Sequence, residues 1–96
     1  MPILDEMKAL EQYDVIKIEE DTGFMYLLVE SKTPEGLNLK ILAHNEQNKG
    51  EDIINVVEFI KFEDICVEPK PSEYPQYIMK AKNREEFLER FPEFAL

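Results

Sequence analysis

The chain has 96 residues, of which 44% are hydrophobic and 33% charged, and its 21 acids outnumber its 11 bases to give a net charge of −10. A chain of this size forms one domain around one core, and a surface this acidic repels the phosphate groups of nucleic acids and anionic membranes. The single cysteine, Cys66, excludes an internal disulfide and indicates a reducing compartment, so we expect a cytoplasmic protein.

The negative charge is concentrated in the first two-thirds of the chain. Residues 1–68 hold 16 acids and 6 bases, a net charge of −10, whereas residues 69–96 hold 5 of each. The segment PKPSEYP, residues 69–75, contains three prolines and favours a stiff, extended connector. We therefore expect a single domain, 1–96, with an acidic sheet-forming part before the connector and an edge strand plus a closing helix at 76–96.

The first part of the chain predicts a short helix followed by three strands. Apolar residues three apart favour a helix at 4–10, and β-forming residues favour a strand at 13–20. The unbroken apolar run FMYLLV, residues 24–29, predicts a strand that is covered on both faces. Alternation at 37–43 predicts a half-buried strand, joined to the previous one by the turn TPEG, residues 33–36.

The pattern is weaker after residue 43. Residues 44–52 read as a polar loop, and residues 53–62 fit either a strand or a helix, with their β-branched and aromatic content favouring a strand. A short strand is predicted at 65–68, halted by the following proline. Alternation with outward lysines at 77–82 predicts an edge strand.

The closing segment predicts a helix that begins after Asn83 and ends before Pro92. Asn83 is a favourable N-cap residue, and Glu86 three positions later completes a pattern similar to a capping box. Because so short a helix is unstable alone, its apolar stripe is expected to pack on the sheet. Beyond the proline, Phe94 and Leu96 either fold back onto the domain, which we favour, or contact a partner.

Together these elements predict an α+β domain. We expect a small antiparallel sheet of four to six strands in a meander, with the C-terminal helix packed on it and a short N-terminal helix. A sheet curled into a small barrel is the alternative.

The residues that catalysis or metal binding requires are sparse. His44 is the single histidine, and its nearest carboxylates, Glu46, Glu51 and Asp52, favour a solvated loop over a metal site. A nucleophilic pair of Cys66 with His44 lacks a third, orienting residue. We therefore expect no enzymatic activity, no cofactor and no metal.

The leading hypothesis is a small, non-catalytic, acidic module that binds a basic surface of another protein, as inhibitors and immunity proteins do by analogy. The acids expected to contribute are Glu19, Glu20, Asp21, Glu46, Glu51 and Asp52.

Two alternatives remain. The first is an assembly or accessory subunit that associates through its apolar sheet face and an aromatic tail formed by Phe91, Phe94 and Leu96. In this case an uncovered sheet face could pair in a homodimer. The second is a small-molecule or metal-responsive regulator that uses the loop at His44.

Overall fold

The computed structural model describes residues 3–20, 23–45, 53–64 and 75–94. Its helices and strands, in chain order, are α1 (Ile3–Ala9), β1 (Asp14–Glu20), β2 (Gly23–Lys32), β3 (Gly36–His44), β4 (Val57–Lys61), β5 (Gln76–Lys80) and α2 (Arg84–Arg90). Two short 3₁₀ helices follow β4 and α2, at Phe62–Asp64 and Pro92–Phe94. Neither α1 nor α2 is long and apolar enough to cross a membrane, and the described ranges contain no other candidate.

The five strands form one antiparallel sheet in the order β4-β3-β2-β1-β5. The first four strands are a meander, and β5 returns to pair with β1 at the opposite edge. The predicted α+β class, meander and C-terminal edge strand are confirmed. The barrel alternative is wrong, because β4 and β5 lie at opposite edges of an open sheet.

The central strand β2 contributes to both faces of the sheet. Tyr26 and Leu28 are buried on the side that α2 covers, whereas Leu27 and Val29 are buried on the side that α1 covers. Successive side chains of a strand point to opposite faces, so four consecutive buried apolar residues require two covers. The prediction that the run FMYLLV is covered on both faces is confirmed.

The α1 face of the sheet carries the first of two apolar clusters. Met7 and Leu10, in α1 and just after it, close this face, while Phe62 of the first 3₁₀ helix closes its β4 end. The sheet residues of this cluster are Ile16, Leu27, Val29, Leu37, Leu39 and Ile41. The helix is short, so its stability comes from this burial.

The α2 face carries the second cluster, centred on the fully buried Phe87. Helix α2 begins where predicted: Oδ1 of Asn83 accepts the backbone N–H of Glu86 at 3.0 Å. In return, Oε1 of Glu86 accepts the backbone N–H of Lys82 at 3.0 Å. The first bond satisfies an N–H group that a helix start leaves without an intrahelical partner, and the second holds the residue before the N-cap. The other buried members of the cluster are Val15, Tyr26, Leu28, Leu42, Ala43 and Ala81.

The turn between β2 and β3 also positions β4. Thr33 and Gly36 exchange two backbone hydrogen bonds, which closes the predicted TPEG turn. A Cβ atom added to Gly36 would lie 2.1 Å from the carbonyl oxygen of Ile60 in β4. Only glycine permits this close approach of the two strands, so Gly36 fixes where β4 packs.

Strand β4 is shorter than the predicted strand at 53–62. Asn55 has a positive φ of 68°, a left-handed conformation that asparagine tolerates better than most residues, and the strand begins only at Val57. The predicted strand at 65–68 and nearly all of the predicted connector at 69–75 lie outside the described residues.

Candidate functional site

The first predicted acidic group begins at the end of β1. Glu19 is exposed, and its Oε1 lies 3.1 Å from Nζ of Lys17 on the same strand. Glu20 is the last residue of β1 and pairs with Gly23 across the hairpin. The charge of Glu19 is therefore partly compensated within the domain, which lowers its expected share of any partner binding.

The second predicted acidic group follows the end of β3. Asn45 comes directly after β3: its backbone N–H donates to the carbonyl oxygen of Phe24 over 3.2 Å, and its Oδ1 accepts the N–H of Phe24 at 2.6 Å. Phe24 in turn pairs with Glu19. β1 ends at Glu20 and β3 ends at His44, and both ends lie at the same end of the sheet. The two acidic segments, 19–21 and 46–52, are therefore reached from that end. The predicted acids that lie outside the described residues are Asp21, Glu46, Glu51 and Asp52.

Many acids in the described ranges are exposed and form no ion pair there. They are Asp5, Glu35, Glu58, Asp64, Glu85, Glu89 and Glu93. The sequence assigns none of these residues to the predicted binding groups, since solvated acids on a surface are common. They extend the negative potential beyond the predicted groups.

Several basic side chains are held within the domain. Nζ of Lys40 lies 3.0 Å from Oε1 of Glu30, and Nζ of Lys80 lies 2.8 Å from Oδ1 of Asp14. Nζ of Lys32 donates a hydrogen bond to the backbone carbonyl of Lys8. Acids therefore carry more of the accessible charge than bases do in the part of the chain that the structure describes.

Arg84 is a structural residue that sequence reasoning missed. Its Nε donates to the carbonyl oxygen of Leu42 in β3 at 2.9 Å, and its Nη2 donates to the carbonyl oxygen of Phe94 at 2.8 Å. The side chain thus connects the start of α2, the sheet and the C-terminal 3₁₀ helix. No local pattern marks this role, because an arginine in the first turn of a helix is usually solvated.

The predicted aromatic tail packs on the protein's own sheet. Phe91 caps the end of α2, and the following 3₁₀ helix turns Phe94 back so that its ring centre lies 5.3 Å from that of Tyr26 and 5.9 Å from that of Phe87. Both Phe91 and Phe94 are half-buried. Leu96, the third predicted apolar contact, lies outside the described residues.

His44 differs from its predicted environment. It is the last residue of β3, pairs with Met25 of β2 and is half-buried, so the prediction that it begins a polar loop is wrong. The hairpin register extends one residue further than the apolar alternation indicated. Within the described ranges, no three potential ligands are grouped to hold a metal ion. Cys66 and the carboxylates expected near His44 lie outside those ranges.

Exposed apolar side chains occur at both edges of the sheet. Val56, Val57 and Phe59 are exposed on and beside β4, and Tyr77 is exposed on β5. The sequence favours a strand at 53–62 but does not predict this exposure, because periodicity cannot show that the covering helix α2 stops short of the strand.

No protein-family model matches the chain, and no curated protein or solved structure is significantly similar to it. The function is therefore inferred from the charge, exposure and packing of its own residues.

Proposed function

We propose that this protein is a non-catalytic interaction module that binds a basic surface of another protein. The supporting observation is that the chain enters residues 19–21 and 46–52 from the same end of the sheet. These two segments hold six acids and one lysine. A concentration of carboxylates at one end of a small domain attracts lysine- and arginine-rich surfaces and repels phosphates.

The expected partner is a protein whose basic surface serves another ligand, such as a nucleic acid. Occupying that surface would give an inhibitor-like or immunity-like role, which is an analogy of charge and not of fold. The proposal places the protein in the cytoplasm and requires no cofactor. Its attraction to the partner acts over roughly the Debye length, about 8 Å at physiological salt, so association should weaken as salt rises.

The test begins with capture of partners from host lysate by the immobilised full chain at about 0.05 and about 0.5 M salt, with identification by mass spectrometry. A captured basic protein is then purified and its association rate and Kd are measured. We expect the association rate to fall by roughly tenfold or more between the two salt concentrations. A Kd that does not depend on salt would overturn the proposal.

Two triple variants with the same net charge locate the site. The first variant neutralises the acidic segment 19–21 and carries Glu19→Gln, Glu20→Gln and Asp21→Asn. The second neutralises exposed acids on α2 and the tail and carries Glu85→Gln, Glu89→Gln and Glu93→Gln. Each raises the net charge from −10 to −7, because three acids are lost. We expect the first variant to bind about tenfold more weakly and the second to change Kd by less than about threefold. Equal effects would show that net charge alone matters.

The runner-up, an assembly subunit that uses the apolar sheet face and the tail, has less support. Its motivation was an uncovered sheet face, but α1 and α2 cover opposite faces of the sheet centre. Partner capture that survives high salt and is lost on Phe94→Ala would favour this alternative. A stable homodimer in light scattering would do the same.

A further inference from the structure

Strand β4 is an edge of the sheet among the described residues, and its outward backbone groups can be identified. The N–H of Ile41 donates to the carbonyl oxygen of Val56 at 3.0 Å, and the N–H of Phe62 donates to that of Glu35 at 2.9 Å. Both bonds fit one antiparallel register, which also pairs Leu39 with Glu58 and Leu37 with Ile60. Backbone direction alternates along a strand, so the N–H and C=O groups at positions 57, 59 and 61 point away from β3.

The same positions carry the exposed apolar side chains. Val57 is 48% exposed and Phe59 is 44% exposed. They pair with Lys40 and Asn38, and therefore lie on the α2 face of the sheet. Between this edge of the sheet and α2 lies a depression of about 300 Å³. It is lined by Lys40, Asn55, Asn83, Arg84, Glu85 and Leu88. Helix α2 therefore stops short of β4, and an added strand could bury both side chains.

The other edge of the sheet lacks this combination. On β5, the exposed Lys80 forms an ion pair with the buried Asp14, and Lys82 follows the strand. Lysines on an edge strand discourage further pairing, because an added strand would have to bury their charges. β4 also ends in a lysine, Lys61, but it exposes two apolar side chains on one face, Val57 and Phe59. On β5, Tyr77 is the single large apolar side chain that is exposed.

The charges around β4 indicate the chemistry of its occupant. Glu58 is exposed on the α1 side of the strand, and Glu63 and Asp64 are exposed just after it. Residues 57–64 hold three acids against one base, Lys61. A second copy of the chain would bring a net charge of −10 against another −10 and place the same acids at the contact. A strand with apolar residues on one side and basic residues on the other would complement both the exposed apolar face and the acids of β4.

We propose that β4 is a docking edge, on which an extended segment of the partner with apolar residues alternating with Lys or Arg pairs as a sixth strand. This inference rests on the proposed function, since it assumes a basic partner, and it specifies how part of that partner binds. Backbone hydrogen bonds at positions 57, 59 and 61 give affinity, and contacts with Val57 and Phe59 select apolar residues on one side. β4 begins at Val57, which pairs with Lys40, four positions before β3 ends at His44.

The test is a titration of the full ¹⁵N-labelled chain with the capped peptide Val-Lys-Val-Lys-Val-Lys-Val at low salt, followed by NMR. We expect shifts and slowed hydrogen exchange at the amides of 57, 59 and 61, because these N–H groups acquire acceptors. The control peptide Val-Lys-Pro-Lys-Pro-Lys-Val has the same charge but two prolines that prevent strand pairing. It should bind at least about tenfold more weakly and give no slowed exchange at β4.

A matched pair of variants tests the backbone contribution. Phe59→Pro removes an outward N–H and leaves the bonds to β3, while Phe59→Thr keeps the N–H and a β-forming residue. Both variants lose the aromatic ring, so they differ in the outward N–H group. Phe59→Pro should therefore abolish the slowed exchange at 57 and 61, whereas Phe59→Thr should preserve it. Unchanged amide shifts in β1 and β2 verify that each variant is folded.

The other outcomes distinguish the two proposals. Shifts confined to Glu19, Glu20 and Asn45, with fast exchange at β4, would overturn the docking edge and leave the proposed function intact. If, without peptide, hydrogen exchange at β4 slowed as the protein concentration rose, the edge would pair with a second copy of the chain. That outcome would overturn the proposed docking of the partner. No shift with either peptide at low salt would count against both proposals.

Discussion

Asp14 is a buried carboxylate whose partners come from two separate parts of the chain. Its Oδ2 accepts the backbone N–H of Glu11 at 2.8 Å, and its Oδ1 lies 2.8 Å from Nζ of Lys80. Lys80 also contacts Oε2 of Glu11 at 3.3 Å. A buried carboxylate requires such partners, since an unpaired charge in the interior is costly. These contacts tie the edge strand β5 to the start of β1 and to Glu11 in the segment before it.

This contact predicts a pH dependence for Lys80→Met. The hydrogen bond to Asp14 raises the pKa of Lys80 above its ordinary value of 10.5, although partial burial opposes the shift. A group whose pKa is raised by folding contributes its full stabilisation below the unfolded pKa and loses it as pH rises through the folded pKa. The wild-type chain should therefore exceed Lys80→Met in unfolding free energy by a constant amount from pH 7 to about 10, and by less above about 10.5.

Urea unfolding of both proteins across this range measures the difference, and the comparison cancels effects that the two proteins share, such as tyrosine ionisation. Lys82→Met, on an exposed lysine that forms no ion pair in the described ranges, controls for the loss of one positive charge. Because the Lys80 side chain is 54% exposed, added salt should reduce the difference. A difference that persists unchanged up to pH 11.5 would contradict this account.

At the scale of elements, α2 and the 3₁₀ helix after it behave as one packing unit. The ring of Phe87 stacks on those of Phe91 and Phe94, with ring centres 5.0 and 5.9 Å apart, and packs at a tilt against Tyr26 at 5.2 Å. Arg84 adds hydrogen bonds to the main chain at both β3 and Phe94. Pro92 begins the 3₁₀ helix and cannot continue α2, so the chain changes direction there and returns to the sheet.

This arrangement predicts graded effects of truncating the rings. Phe87→Ala should reduce the free energy of unfolding by roughly 3–5 kcal/mol, because Phe87 is fully buried. Phe94→Ala should cost about 1–2 kcal/mol, because Phe94 is only half-buried. Urea or thermal unfolding provides both values. An unchanged stability for Phe94→Ala, combined with lost partner binding, would instead assign Phe94 to an interface.

The sequence predicts the elements that depend on local pattern and misses those that depend on distant contacts. The double cover of residues 24–29 follows from an apolar run without polar breaks, and the start of α2 follows from Asn83 and Glu86. The pairing of β5 with β1, by contrast, joins residues from Lys17–Gln76 to Asp14–Lys80 that are far apart in the chain, and no local signal specifies it. The burial of Asp14 depends on that pairing and is therefore equally hidden.

The candidate site was predicted only in outline. Composition and charge distribution indicated an acidic binding surface. Only the sheet register shows that the two acidic segments, 19–21 and 46–52, are reached from the same end of the sheet. The exposure of Val57 and Phe59 was not predicted, because the sequence does not show how far α2 reaches across the sheet. Both limits have one cause: position on a surface is a property of the assembled sheet.

For the whole molecule, the net charge of −10 opposes compaction, because like charges on a compact domain repel one another. Most ion pairs in the described part join neighbouring positions on one strand or on adjacent strands, as in Lys17–Glu19 and Lys40–Glu30. Such pairs relieve repulsion locally and leave the isolated acids uncompensated. A bound basic surface would remove part of this repulsion, so binding and folding stability are linked.

The repulsion among the acids predicts that salt stabilises the isolated protein. Raising NaCl from about 0.01 to about 0.2 M shortens the Debye length from about 30 to about 7 Å and should raise the Tm by several degrees. Glu89→Gln changes the net charge to −9 and should flatten the dependence, whereas Lys82→Gln changes it to −11 and should steepen it. Differential scanning calorimetry of the three proteins at four salt concentrations measures the slopes. Equal slopes would mean that the acids do not repel one another appreciably in the fold, and the accessible negative charge on which partner binding depends would then be weaker than the sequence indicates.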